Sequence, residues 1–146
     1  MRISMKKSHS PRPDRNERFA SAIKAAEALV NLDLYPQHKR ELLSICVWKA
    51  TEVDGKFNTR FCAQGALEAG PDTKLNHEHV IERKKLVDRM LAGEPVAEVL
   101  KAAVACIVTV DEHRLLTDLS RTHPDLEGWE RYEAAGIKVV DRSSKS

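Results

Sequence analysis

The stretch that decides the fold runs from residue 104 to residue 116 and reads VACIVTVDEHRLL. Its first seven residues are apolar or β-branched, and they have the length of one buried strand. Asp111 follows as a helix N-cap, so that His113 and Leu116 lie in a short helix. A strand that runs directly into a helix indicates a domain that mixes both kinds of element.

A second strand of the same kind lies upstream, at residues 75–81. In the sequence LNHEHVI, His77 and His79 alternate with Asn76 and Glu78, as the two faces of a strand require. Helical composition follows at residues 83–91. Each of the two segments therefore places polar residues where a strand meets a helix. Binding and catalytic sites often form at such junctions.

Helical periodicity accounts for most of the remaining chain. Apolar residues at spacings of three and four predict a helix over 16–30 and a second from Pro36 to about residue 54, which together form an N-terminal hairpin. Residues 56–69 fit a helix and a strand equally well. Further helices and a last strand are predicted at 83–91, 95–103, 126–135 and 137–140. The expected fold class is α+β, with a helical hairpin followed by short strands and helices.

The domain organisation is a single α+β domain over residues 15–141. Residues 1–14 carry several Lys and Arg with two prolines and no apolar periodicity, which predicts a disordered basic tail. Residues 142–146 predict a disordered C-terminal tail. The basic tail is either a solvated end or a flexible phosphate-binding arm.

Composition excludes several classes of protein. Hydrophobic residues make up 42% of the chain and charged residues 32%, as in ordinary globular proteins, while the 5% of aromatic residues excludes a broad base-stacking surface. The longest apolar run, residues 102–110, is too short to span a membrane. Cys46, Cys62 and Cys106 are odd in number and widely spaced, so we expect reduced thiols in a cytoplasmic protein.

Histidines and carboxylates concentrate at the two strand–helix junctions. The first junction carries His77, Glu78 and His79, and the second carries Asp111-Glu112-His113. Carboxylates and imidazoles are ligands of divalent ions, and a further neutral imidazole can take a proton from water. The alternative is that the histidines lie on an exposed strand edge and that the two acidic residues only cap a helix.

These junctions resemble a known motif. Residues 75–84, LNHEHVIERK, and 105–116, ACIVTVDEHRLL, resemble the two halves of the HNH, or ββα-metal, nuclease motif. The first half of that motif reads roughly apolar-x-x-Asp-His-apolar-apolar-Pro-Arg, and the second runs into a helix that bears the last His. The resemblance covers about residues 60–120 and implies a ββα-metal-like core. It departs from the pattern near Val104, where the family has a middle Asn, and at Glu82, which replaces Pro.

The resemblance implies a divalent metal ion, namely Mg, Mn, Ni or Zn, and hydrolysis of phosphodiester bonds in DNA or RNA, with DNA the favoured substrate. Glu78 and His113 would be metal ligands and His77 an auxiliary one, while His79 would activate water. A basic helix face that would meet phosphates follows at Arg83, Lys84, Lys85 and Arg89.

Two other functions remain open. A non-catalytic protein on a related scaffold would bind nucleic acid, or would inhibit or regulate a protein partner, and the missing Asn near Val104 favours it. A small structural or assembly subunit would instead use the N-terminal hairpin as its surface. No interaction with a membrane is expected in any of these functions.

Overall fold

The computed structural model describes residues 5–6 and 8–143. In chain order the elements are α1 (Arg15–Asn31), α2 (Pro36–Thr51), β1 (Phe61–Ala63), α3 (Gln64–Glu68), β2 (Leu75–His79), α4 (Arg83–Leu91), α5 (Val96–Lys101), β3 (Ala105–Thr109), α6 (Val110–Thr122), α7 (Trp129–Ala135) and β4 (Val139–Asp141). Helices and one small mixed sheet confirm the predicted α+β class. Within those described residues, no helix has the length and apolar character needed to cross a membrane.

Four helices, α1, α2, α4 and α5, pack around a first apolar core. The two N-terminal helices form the predicted hairpin, and α2 also packs against α4. Leu43, Val47, Leu86, Met90 and Leu100 are buried in this core. Full burial of a side chain of this size stabilises the fold by about 1.5–3 kcal/mol. This packing fixes α2, whose last residues reach the edge of the sheet.

The sheet has the strand order β2-β3-β1-β4. β2 runs antiparallel to β3, with Glu78 opposite Cys106, while β1 is parallel to β3 and β4 is antiparallel to β1. Tyr132 of α7 and Leu116 of α6 belong to a second core with the sheet. Because β2 is the first strand in this order, it lies at an edge of the sheet and leaves space for a cleft beside it.

The structure resolves one ambiguity of the sequence and corrects one prediction. Residues 56–69, which fitted two structures equally well, contain β1 and then α3. Thr109, and not Asp111, caps α6: its hydroxyl accepts the N–H of Glu112 at 3.2 Å, and the carboxylate of Glu112 accepts the N–H of Thr109 at 2.8 Å. The prediction of Asp111 as N-cap is wrong because this reciprocal capping box satisfies two free N–H groups and starts the helix earlier.

The chain ends are more tightly held than their composition predicts. Within the predicted N-terminal tail, Nε2 of His9 lies 2.8 Å from Oδ2 of Asp54, and the N–H of Arg12 donates to Oδ1 at 2.8 Å. At the other end Arg142 is 3% exposed, and its guanidinium donates to backbone carbonyls. Buried charged groups of this kind need hydrogen-bond partners: the N-terminal segment supplies them for Asp54, and the carbonyls of Lys6 and Phe57 supply them for Arg142. The remaining parts of the predicted tails, residues 1–4, 7 and 144–146, lie outside the described residues.

Candidate functional site

Ionisable side chains alternate between the two sides of β2. His77 and His79 contact the C-terminal end of α2, whereas Glu78 contacts α6 and α7. All three residues are buried, with only 6–7% of their surface exposed. Because β2 is at the edge of the sheet, residues from both sides border one cleft of about 420 Å³. Its wall also includes Trp48, Lys56, Arg83, His113 and Arg131.

The carboxylate of Glu78 has a partner on each oxygen. Oε1 accepts a hydrogen bond from Nη2 of Arg131 at 2.9 Å, and Oε2 lies 2.9 Å from Nδ1 of His113. Arg131 is 2% exposed and also donates to the backbone carbonyls of the two residues that follow Glu78, at 3.1 and 2.7 Å. A carboxylate buried without such partners would cost several kcal/mol. Arg131 therefore makes the buried position of Glu78 tolerable.

His113 is placed by the start of α6. The capping box of Thr109 and Glu112 fixes the first turn of the helix, and His113 follows directly. Its side chain is 41% exposed, compared with 8% for that of Glu78. Since a carboxylate only accepts, Nδ1 of His113 donates to Glu78, and Nε2 is left for another partner. The pair thus joins a buried carboxylate to a half-exposed imidazole at the cleft.

Burial lowers the pKa of both imidazoles on the other side of β2. The pKa of His79 falls to about 3, chiefly through loss of hydration and further through the neighbouring His77 and Arg83. The pKa of His77 is lowered mainly by burial, although its hydrogen bond to the carbonyl of Lys56 opposes the shift. Both rings are therefore neutral at physiological pH.

Two residues of α2 hold these imidazoles in place. Oγ1 of Thr51 lies 3.2 Å from Nε2 of His77 and 2.9 Å from Nε2 of His79. The indole of Trp48 packs against both rings, with ring centres 5.0 and 5.1 Å away, and the guanidinium of Arg83 lies 4.9 Å from the indole centre. These contacts fix the orientation of both histidines.

Glu78 and His113 are the predicted metal ligands that the structure brings together. The 2.9 Å between Oε2 of Glu78 and Nδ1 of His113 is a hydrogen-bond distance, so these two atoms could bind one divalent cation only after Nδ1 has given up its proton. His77 lies on the other side of the strand, with Nδ1 2.6 Å from the carbonyl of Lys56. Among residues 5–6 and 8–143, no group of three or more His, Cys, Asp or Glu is arranged to hold a metal ion. An ion at this pair would need water or phosphate oxygens as its other ligands.

The two acidic residues beside His113 serve the helix. The side chain of Asp111 is 92% exposed, and its Oδ1 lies 3.4 Å from Nη1 of Arg114. Glu112 takes part in the capping box. Both positions match the alternative in which these acids act on the N-terminal end of the helix rather than in a site.

Of the four basic residues predicted to meet phosphates, Arg83 borders the cleft. Lys84 is exposed, whereas Lys85 and Arg89 form salt bridges with nearby glutamates at 3.5 and 3.1 Å. Lys56, which sequence reasoning did not select, and Arg131 of α7 also border the cleft. The positive charge at the cleft therefore comes from three separate segments.

Sequence reasoning missed Thr51, Lys56 and Arg131. An arginine between aromatic residues in α7 was the available signal for Arg131. Thr51 offered no signal, because its contacts with His77 and His79 span 26 and 28 residues.

Comparisons with protein-family models, with curated proteins and with solved structures found no match for this chain. Function is therefore inferred from the geometry of the cleft.

Proposed function

We propose that this protein is a metal-dependent endonuclease of the HNH-like type, which hydrolyses phosphodiester bonds in nucleic acid, DNA rather than RNA, in the cytoplasm. The observation that carries the proposal is the contact of Glu78 with His113, 2.9 Å apart in space and 35 residues apart in sequence. These are the two metal ligands that the HNH resemblance implies, and they meet in a cleft that also contains neutral imidazoles and the cations Lys56, Arg83 and Arg131.

The order of elements around this pair supports the proposal. β2 and β3 are antiparallel neighbours, and β3 runs directly into α6, which bears His113. Two strands and a helix thus surround Glu78 and His113 in the order that the resemblance implies. α4 and α5 form an insertion between the two strands.

Five residues of the cleft have a role in this proposal. A divalent ion, when bound, would polarise a phosphate and stabilise the leaving oxygen. Glu78 and His113 would hold it. The neutral imidazole of His79 would accept the proton of the attacking water. Arg83 and Lys56 would bind neighbouring phosphates of the strand.

A non-catalytic nucleic-acid-binding protein, or a regulator of a protein partner, is the second candidate, and the position of Arg131 favours it. The guanidinium already occupies Oε1 of Glu78 at 2.9 Å, so the carboxylate has a positive partner that would compete with a cation. In this function the contact between Glu78 and His113 would stabilise the fold, and Arg83 and Lys56 would bind phosphates without hydrolysis.

Calorimetry with Mg²⁺, Mn²⁺, Ni²⁺ and Zn²⁺ tests the metal site. We expect the wild type to bind one ion, and Glu78→Gln and His113→Ala to bind it at least about 10-fold more weakly, because changes even outside the ligand set reduce affinity by that factor. His123→Ala, at the exposed C-terminal end of α6, is the matched control and should bind like the wild type. No binding by any ion would contradict the endonuclease proposal.

Plasmid nicking with the ion that binds tests catalysis. His79→Gln should reduce the nicking rate about 100-fold or more, since a general base contributes roughly 10²–10⁴-fold, and it should leave the metal affinity unchanged. A salt-dependent shift of labelled DNA, without nicking and surviving both His79→Gln and His113→Ala, would establish the second candidate instead.

A further inference from the structure

We infer that Thr51 is a positioning residue for His79: with His77 it forms a chain of hydrogen bonds that keeps the proton of His79 on Nε2 and leaves Nδ1 free to accept a proton. This inference rests on the proposed function, in which His79 is the base. It assigns a catalytic contribution to the end of α2, outside the two segments that resemble the HNH motif.

The chain of hydrogen bonds begins at a backbone carbonyl. The oxygen of Lys56, which can only accept, lies 2.6 Å from Nδ1 of His77, so the proton of a neutral His77 is on Nδ1. Nε2 of His77 is then an acceptor. The hydroxyl of Thr51, 3.2 Å away, is the donor that satisfies it.

The direction of that hydrogen bond determines the next one. When the hydroxyl proton of Thr51 points to His77, its oxygen can only accept from Nε2 of His79, which lies 2.9 Å away. The hydroxyl also lies 2.9 Å from the carbonyl of Trp48. A proton directed to that carbonyl also leaves oxygen lone pairs toward His79, but Nε2 of His77 then lacks a donor. In both arrangements His79 carries its proton on Nε2, whereas a hydroxyl proton directed to His79 would require the Nδ1–H form and would also leave His77 without a donor.

The remaining nitrogen of His79 is the one available to substrate. Nδ1 makes no hydrogen bond to the part of the chain that the structure describes, and it is not among the fully buried polar atoms. The residue borders the cleft together with Glu78 and His113. A lone pair on Nδ1 is thus the group at this position that can take a proton from water.

The tautomer can be measured directly by ¹⁵N NMR of the histidine side chains, because the two ring nitrogens respond differently to protonation. We expect the wild type to show the Nε2–H form of His79. Thr51→Val, which removes the hydroxyl at nearly constant volume, should introduce the Nδ1–H form, whereas Thr51→Ser should retain the wild-type tautomer. Thr117→Val removes another hydroxyl that borders the cleft and should change nothing. A proton on Nδ1 in the wild type, or an unchanged tautomer in Thr51→Val, would overturn the inference.

Nicking kinetics test the catalytic consequence. Thr51→Val should lower kcat about 10-fold with little change in KM, because it affects proton transfer and not binding, and Thr51→Ser should restore most of the rate. A changed tautomer with an unchanged kcat would overturn the positioning role. If the wild type does not nick DNA with any ion, the proposed endonuclease function fails, whereas the NMR result still decides whether Thr51 sets the tautomer.

Discussion

On one side of β2 two imidazoles are buried as neutral rings, whereas on the other side a carboxylate is buried with a guanidinium beside it. His77 and His79 share the hydroxyl of Thr51 and pack on an indole. Glu78 has Arg131 on one oxygen and the imidazole of His113 on the other. Adjacent residues of one short strand are thus buried in two different ways, as neutral rings on one side and as part of an ion pair on the other.

The difference follows from the ordinary pKa values of the two residue types. Keeping a histidine neutral at pH 7 costs very little, while keeping a glutamate protonated there costs about 4 kcal/mol. A buried histidine therefore needs only neutral hydrogen-bond partners, and a buried glutamate needs a cation. The comparison indicates that the histidine side keeps its rings neutral, whereas the glutamate side holds positive charge.

Removal of Arg131 should have the largest effect, because it leaves a carboxylate buried without its cation. Arg131→Met should lower the free energy of unfolding by about 3–5 kcal/mol, measured by urea denaturation with tryptophan fluorescence. The double variant with Glu78→Gln should recover part of that loss.

Arg114→Met is the matched control for this change. Arg114 forms an exposed salt bridge in α6, which is worth at most about 0.5 kcal/mol. A loss below about 1 kcal/mol in Arg131→Met would mean that Glu78 is not stabilised by this arginine, and the contrast between the two sides would disappear.

Acid should weaken the fold through the histidine side. Burial holds the pKa of His79 at about 3, below its ordinary 6.5, so the unfolded chain binds more protons as the pH falls below 6.5. The free energy of unfolding should therefore decrease from pH 7.5 to pH 5. In His79→Gln this decrease should be smaller by about 1–2 kcal/mol.

Urea denaturation at the two pH values checks this expectation, with His38→Gln on the exposed surface of α2 as the control. Equal pH dependence in the wild type and in His79→Gln would contradict a neutral buried His79. The lowered pKa of His77 acts in the same direction.

The smallest effect is expected from Arg83, whose charge lowers the pKa of both His77 and His79. Arg83→Gln should raise both pKa values, as followed by NMR titration of the histidine rings. Lys84→Gln removes an exposed charge from the same helix and should have a weaker effect. If Arg83→Gln and Lys84→Gln raised the two pKa values equally, the lowered pKa values would depend on net charge and not on the position of Arg83 over Trp48.

Local pattern predicted much of this arrangement. The apolar run before Asp111 predicted β3. The alternation around Glu78 predicted β2, because successive side chains of a strand point to opposite sides. That same alternation already separated His77 from Glu78, although the resemblance grouped them as ligands of one ion. The contact of Glu78 with His113 depends on β2 and β3 being neighbours, and their antiparallel pairing brings the two residues together.

Local sequence pattern was enough to predict the α+β class, the places where strands meet helices, and which residues of β2 share a side. Which partners those residues have depends on the packing of distant elements. Thr51 comes from 26 residues before His77, and Arg131 from 53 residues after Glu78. Local periodicity reflects the backbone geometry of one element, whereas these contacts depend on how α2 and α7 pack against the sheet, so the chemistry of the cleft appears only when the chain is folded.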